Sequence, residues 1–369
     1  MSSKKILRRL RIALLIPISF VLVYFSSRNP SLVERYYSEG IYQPLGSLLS
    51  RFFGILPFSA AELIVIIAPA AFIFYTVRFL AKAISVNGGI LAPLLKYFVN
   101  LIVITGLIFF SFIALWGLNY YRMPFSKIAG LEVRPASVSE LESLCEALIE
   151  RANTLRPLVS VDSKGNVDIP GSPRDILKNC YKGYIAIADT YPELGGSYGD
   201  PKPVLLSCLM NYTGICGVYF PFTGEANVNI AIPESTLPSA ASHEMAHQRG
   251  FSREDEANFI SYLACTAHPD VNYKYSGILL ALTNSMNALH DTDQALFKKL
   301  SESYSVEVRH DLKEINEFWA KYEGPVERAT DRINDKYLKA NNQKDGIKSY
   351  GRMVDLLIAE HRKNSLFQL

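Results

Sequence analysis

From Tyr97 to Leu118, in "YFVNLIVITGLIFFSFIALWGL", twenty-two residues pass without a charge. As a helix that run crosses a hydrocarbon core of ~30 Å, so part of the chain is expected to fold in lipid. Two further runs extend the pattern. "AELIVIIAPAAFIFYTV", from Ala61 to Val77, carries only Glu62 near its start and reaches Arg78; it spans if residues 79–81 are included and the arginine snorkels. Pro69 would kink such a helix without removing it. "IALLIPISFVLVYF", from Ile12 to Phe25, follows "KKILRRLR", a layout that signal peptides share with signal anchors. No small-residue cleavage site follows in "SSRNPSLVERYY", so the run reads as an uncleaved anchor. The expected transmembrane helices are 12–27, 61–81 and 97–118.

Basic residues orient these spans. Lys4, Lys5, Arg8, Arg9 and Arg11 precede the first, and Arg78, Lys82 and Lys96 lie between the second and third, which assigns both stretches to the cytoplasm. Residues 1–121 are then a membrane anchor with a cytoplasmic N-terminus, and residues 122–369 an extracytoplasmic domain. The net charge of +3 is mostly explained by those flanks, so the bilayer is an expected partner and nucleic acid is not. Cys145, Cys180, Cys208, Cys216 and Cys265 form an odd set without a CxxC pair. Cys208 with Cys216 is the one disulfide considered, and free buried thiols are the preferred reading.

In the exterior part, "SVSE" at Ser137 has the spacing of a capping box and starts a helix toward Arg151. Ser172 with Pro173 starts another toward Ala188. Between them "VSVDSKGNVDI" reads as a hairpin around Lys164-Gly165-Asn166. "GICGVYFPFTGEANVNIAI" suggests two short strands joined near Thr223-Gly224, the second, "NVNIAI", alternating as a half-exposed edge strand would. Beyond Pro269 helices are expected over 272–300, 306–322, 325–340 and 349–362. "NYY" at 119–121 reads as an interfacial aromatic belt. Tyr219, Phe220 and Phe222 read as strand core, and His268, His290 and His310 have no partner pattern.

The chemistry is concentrated in "SHEMAHQRGFSREDEANF", Ser242 to Phe259. Pro238 can start a helix and Gly250 can end it, so His243 and His247, at i and i+4, project from one face and can reach a single zinc ion. Glu244 is rotated about 100° from His243, where a general base for metal-bound water must stand. HExxH alone arises by chance in roughly one chain of this length per hundred, so context matters. Ser239, Ala240, Ala241 and Ser242 are small enough to let the helix sit deep, and a strand-like segment lies just upstream, where a peptide substrate can add as a further strand. A catalytic zinc needs a third protein ligand and an open position. After Gly250, Ser252 can cap a second helix whose first turn offers Glu254, Asp255 and Glu256. Glu254 shares a face with Asn258, a supporting partner; Glu256 points to the apolar side, where a buried carboxylate needs a cation.

"HEMAH" followed by "EDEAN" resembles the gluzincin metallopeptidases. Members similar to the prenyl-protein and heat-shock proteases carry the downstream glutamate in an E-x-x-A-D pattern, and the antirepressor-cleaving family in E-x-x-A-N. The resemblance implies His243 and His247 as zinc ligands, Glu244 as base, Glu254 as third ligand and Asn258 as its support. Six residues separate His247 from Glu254, shorter than in those families, and Gly250 stands where metzincins place a turn glycine, with Arg253 at the position of their third histidine. That spacing keeps Glu256 open as the third ligand. The overall layout is most similar to a bacterial integral-membrane family without an assigned function.

The expected architecture is α+β: three N-terminal transmembrane helices, then a mostly helical, zincin-like exterior domain with a small edge sheet. The expected activity is zinc-dependent hydrolysis of peptide bonds in a peptide or protein substrate. An oxyanion donor must come from elsewhere; Tyr350, Arg352 and His361 are candidates for which surface or core roles are preferred. The rival is a catalytically silent membrane scaffold or sensor with a structural zinc, against which Glu244 speaks. Transport is disfavoured because the spans hold almost no ionisable residue beyond Glu62. A reporter fused after Arg122 is expected outside the cytoplasm and one near Val86 inside it; the opposite pair would overturn this orientation.

Overall fold

The computed structural model describes residues 11–84 and 90–365, so Lys4, Lys5, Arg8, Arg9 and Val86 lie outside the described residues. The N-terminal part holds helices α1 (Leu15–Ser26), α2 (Pro30–Gly54), α3 (Ala60–Ile84) and α4 (Leu91–Leu115). Two are long and apolar enough to cross a membrane, over Ala60–Ala83 and Pro93–Leu115. The expectation of three plain spans is corrected at the first. The helix Arg11–Ser26 passes the same test only together with α2, from which it is bent by 107°. Pro30 at the start of α2 favours that break, since the residue before a proline is pushed out of helical geometry. α1 runs beside α4, with the Phe20 and Phe109 rings 5.5 Å apart.

α2 is π-helical from Val33 to Tyr42 and two-faced. Val33, Tyr37, Tyr42 and Ser50 are buried, while Leu32, Tyr36, Ile41, Leu48 and Phe52 are exposed. Its buried side is fixed by Glu34, which pairs with the Arg122 guanidinium and accepts the Met123 N–H at 3.1 Å. The start of α3 is fixed by a carboxylate too. Glu225 accepts the N–H groups of Ala60 and Ala61 at 3.1 and 2.8 Å, satisfying donors that a helix N-terminus leaves open. Glu62, the one acid in that run, accepts from the Leu205 and Leu206 N–H groups.

The remainder is mostly helical. α5 (Val138–Leu155) begins at the expected capping box of Ser137 and Glu140. The helix expected from Ser172 is split into α6 (Pro173–Asn179) and α7 (Tyr181–Ala188). The expected hairpin is reduced to a single bridge between Val161 and Val167, its turn held by Asp162 accepting from the Lys164 and Asn166 N–H groups. β1 (Lys202–Pro203), β2 (Gly217–Phe220) and β3 (Glu225–Val228) form a sheet in the order β1-β3-β2. β1 is parallel to β3, and β2 is antiparallel to it with Gly217 opposite Val228.

The half-exposed edge strand expected in "NVNIAI" is corrected: β3 is the central strand and buried throughout. Its alternate polar residues are satisfied inside the protein. Asn227 accepts the Ser59 hydroxyl at 2.6 Å and donates to the Val218 carbonyl, and Glu225 caps α3. The edges belong to β1 and β2 instead.

α8 (Leu237–Gln248), α9 (Glu254–Ala267) and α10 (Val271–Thr292) follow, then α11 (Gln294–Ser301), α12 (Val306–Ala320), α13 (Pro325–Ala340) and α14 (Met353–Ser365). The single helix expected over 272–300 breaks at Asp293, whose carboxylate accepts the Leu296 N–H and starts α11. The main core gathers α5, α8, α9, α10 and α14 through residues such as Leu148, Ala246, Phe259, Leu282 and Leu357. A smaller core joins α2, the end of α4 and β2 through Tyr37, Tyr42, Trp116, Tyr120 and Tyr219. Asn119 and Tyr120 are therefore buried, not an interfacial belt: Asn119 accepts the Ser38 hydroxyl, and the Tyr120 hydroxyl pairs with that of Tyr337. All five cysteines are free; Cys145, Cys180 and Cys265 are buried, and Cys208 is exposed.

Candidate metal centre

α8 is short of large side chains on the side that enters the core. Ala241 and Ser242 are buried, and the Ser239 and Ser242 carbonyls accept hydroxyls from Ser261 on α9 and Tyr184 on α7. The helix ends where Gly250, with φ of 87°, reverses the chain. A side chain there would be strained and would also collide with the Tyr42 ring, to which a Cβ would come within 2.9 Å. The reversal returns the Phe251 carbonyl to His247 Nδ1 at 2.7 Å. Asn258 Oδ1 stands at the same distance from His243 Nδ1. With Nδ1 against a fixed acceptor, each imidazole turns its Nε2 toward Glu254, the orientation a metal ligand needs once that nitrogen is deprotonated.

α9 supplies the third group. Glu254 Oε2 lies 3.1 Å from His243 Nε2 and 3.5 Å from His247 Nε2. One ligand atom from each of His243, His247 and Glu254 falls within 4.8 Å of the others, so the cluster could hold a metal ion. Glu256 does not join it. Its carboxylate accepts from Arg253 Nη1 and from the Phe125 N–H, both at 2.9 Å, which supplies the cation that its burial demanded. Ser252 does not cap α9 either: its hydroxyl has no partner, and the Glu254 N–H donates to Gln343 Oε1 at 3.1 Å.

The electrostatics follow from burial and proximity. Burial alone would lower the His247 pKa, but the adjoining Glu254 carboxylate outweighs it and lifts the imidazole to about 9. Glu254 is driven up by burial and held well below the usual carboxylate range by the two histidines. A cation bound between these groups would take the place of the imidazole proton. Glu244 is pushed up by burial, with both imidazoles opposing. Its Oε2 is buried without a hydrogen-bond partner in the protein, and its carboxylate lies directly against the backbone of β2. A Cβ on Gly217 would sit 2.6 Å from Glu244 Oε1, so only glycine allows that approach. Two nitrogens and one carboxylate oxygen are a donor set suited to zinc, and an orphaned carboxylate oxygen beside them suits a bound water.

Two cavities adjoin at the cluster. One of about 520 Å³ runs between Glu244 and the apolar residues Leu279, Leu280, Ile315 and Trp319. The other, of about 370 Å³, runs from His243 and Glu244 to Trp116, Tyr120 and Tyr337. Tyr350 lines both, its ring nearly parallel to that of His243 at 6.4 Å, and burial holds its hydroxyl well above its ordinary pKa. The preference for a surface or core role at Tyr350 thus misses its place at the cleft. Tyr219, read as strand core, is both buried and part of the second cavity wall. Arg352 pairs with Asp345, and His361 lies against Ser143, away from the cluster. His268, His290 and His310 contact Asn179, Asp291 and Asn166 respectively.

A family model described as "Protein of unknown function (DUF3810)" matches residues 37–358, most of the chain. No curated protein and no solved structure matches.

Metal content of the purified full-length protein after dialysis tests the cluster. His243→Ala, His247→Ala and Glu254→Ala should each weaken binding by more than the ~10–100-fold that loss of a mere supporting residue costs, while Glu256→Gln should retain the metal. Full occupancy in either histidine variant would mean that the cluster is not the site.

Proposed function

We propose that this chain, which belongs to the DUF3810 family, is a membrane-anchored zinc peptidase of gluzincin type with its catalytic domain outside the cytoplasm. The observation that carries the reading is the convergence of His243, His247 and Glu254 beside a buried, unpartnered Glu244 carboxylate oxygen. Zinc bound there would polarise a substrate carbonyl and lower the pKa of a coordinated water. His243, His247 and Glu254 would hold it, with Asn258 and the Phe251 carbonyl fixing the imidazoles.

Glu244 takes the proton of the attacking water and returns it to the leaving amine, a dual role favoured by a carboxyl whose pKa burial raises. The free edge of β2 runs past this carboxylate, and an extended peptide laid along it brings its carbonyl to the cluster. Tyr350 lines the cleft beside His243 and, kept protonated by burial, would donate to the carbonyl oxygen as charge grows there. The larger cavity, with its apolar wall, takes a side chain flanking the cut.

The alternative is a silent scaffold or sensor with a structural zinc. A structural site is closed by four protein ligands. Among the described residues the cluster has three, and that favours catalysis.

Glu244→Gln separates the two. It keeps size and hydrogen-bonding capacity but cannot accept the proton, so the variant should stay folded and metallated while hydrolysis of any cleaved peptide falls by ~10²–10⁴-fold. Cleavage at the wild-type rate would contradict the mechanism even with zinc present.

A further inference from the structure

The metal cluster stands at the end of a membrane helix. The apolar span of α4 closes at Leu115, and the next residue, Trp116, sets its ring edge-on to the His247 ring at 5.9 Å. With that end of α4 at the bilayer surface, the cluster lies within ~10 Å of hydrocarbon, inside or just above the headgroup layer.

α2 brings the same surface close from another side. Its 107° bend from α1 lays it near the membrane plane when α1 follows the normal. Its outward face, with Leu32, Tyr36, Ile41, Leu48 and Phe52, has the character of an interfacial helix. Both its ends lead into the apolar helices, so the lipid surface is the cover that continuity offers. The opposite face carries Tyr42, whose hydroxyl lies 3.2 Å from the His247 and Gln248 carbonyls. One tyrosine therefore separates the helix that bears the metal ligands from the helix that lies on lipid.

The cleft extends to the end of α4. The cavity of about 370 Å³ holds all three ligand residues and is walled by Trp116 and Tyr120 from the end of α4. Its remaining wall includes Val218, Ile333 and Tyr337, which are 43%, 70% and 41% exposed, and the Tyr337 ring lies 6.4 Å from that of Phe112 on α4. The larger cavity leads away from it into the helical part. A cleft at that height meets chain as it leaves the bilayer. An extended chain rising from the membrane covers ~10 Å in three or four residues.

Resting on the peptidase reading, we propose that the substrate is the juxtamembrane segment of another membrane protein, cut within a few residues of the point where it leaves the bilayer. The anchor then does more than tether the enzyme: it sets the height at which the chain is cut.

Two measurements on the full-length protein in phosphatidylcholine–phosphatidylglycerol vesicles test this. The Trp319→Phe variant leaves Trp116 as the remaining one of two tryptophans, and lipids brominated at defined depths should quench its fluorescence most near the headgroup–acyl boundary. Absence of quenching would overturn the placement of the site. Zinc-loaded wild type is then given a probe in which one apolar helix of about 22 residues is followed by about forty randomised residues, with cut positions mapped by mass spectrometry and Glu244→Gln as the blank. Cuts should be at least ~10-fold denser in the first ten or so positions beyond the helix than in the last twenty, while the same segment without the helix shows no such bias. Cuts spread evenly along the anchored probe would overturn the juxtamembrane substrate and leave the peptidase reading intact. No cuts in either form, with zinc bound and Trp116 quenched, would overturn the peptidase reading itself.

Discussion

Glu254 sits in the protein interior with one carboxylate oxygen 3.1 Å from His243 Nε2 and 3.5 Å from His247 Nε2. Alone, an ionised carboxylate at that depth would cost several kcal/mol in lost hydration. Two imidazoles on one helix face offset that cost, and they do so only if α8 and α9 cross at one position and in one rotation. The surrounding structure secures both. Gly250 turns the chain between the helices, Gln343 takes the first N–H of α9, and Asn258 and the Phe251 carbonyl orient the two rings. Small residues on α8 and the missing side chain at Gly217 let neighbouring backbone close on the site.

The same turn is held from the side of the apolar helices. Arg122, fully buried, reaches from the chain just after α4 to the Arg249 carbonyl at the end of α8 and lies over the Phe251 ring at 3.8 Å. Its charge is matched by Glu34 on α2. Removing one partner of such a buried pair typically costs ~3–5 kcal/mol, because the other is left uncompensated. The position of α2 and the geometry of the histidine helix are thus linked by a charge pair as well as by Tyr42. The histidine–glutamate cluster thus depends on α2 and on the chain just after α4 for its shape.

Where a physical rule acts over a few residues, the sequence could be read directly. The capping box at Ser137, the glycine stop at Gly250, the i, i+4 histidines and the long uncharged run at 97–118 are local patterns, and each has its counterpart in the structure. The third group of the cluster was open between Glu254 and Glu256 because the two differ only in helix rotation. What separates them is remote: Phe125 and Arg253 engage Glu256, and the histidines engage Glu254. The alternation in "NVNIAI" misled for a similar reason. Asn227 and Glu225 face polar partners on the first turn of α3 and not water, and a sequence pattern cannot tell one from the other. Glu34, Arg122 and Tyr42 take their meaning from contacts made across 88 to 205 residues of chain, which a local pattern does not record. A charged residue next to an apolar run, left buried and requiring an opposite charge elsewhere, was the one clue available.

Zinc K-edge X-ray absorption on the purified full-length protein tests the central claim most directly. A site formed by His243, His247 and Glu254 with an open position predicts about four nitrogen or oxygen neighbours at ~2.0–2.2 Å, imidazole scattering from two rings, and no sulfur at ~2.3 Å. A spectrum with a thiolate neighbour, with imidazole scattering from fewer than two rings, or from a preparation that binds no zinc would contradict it.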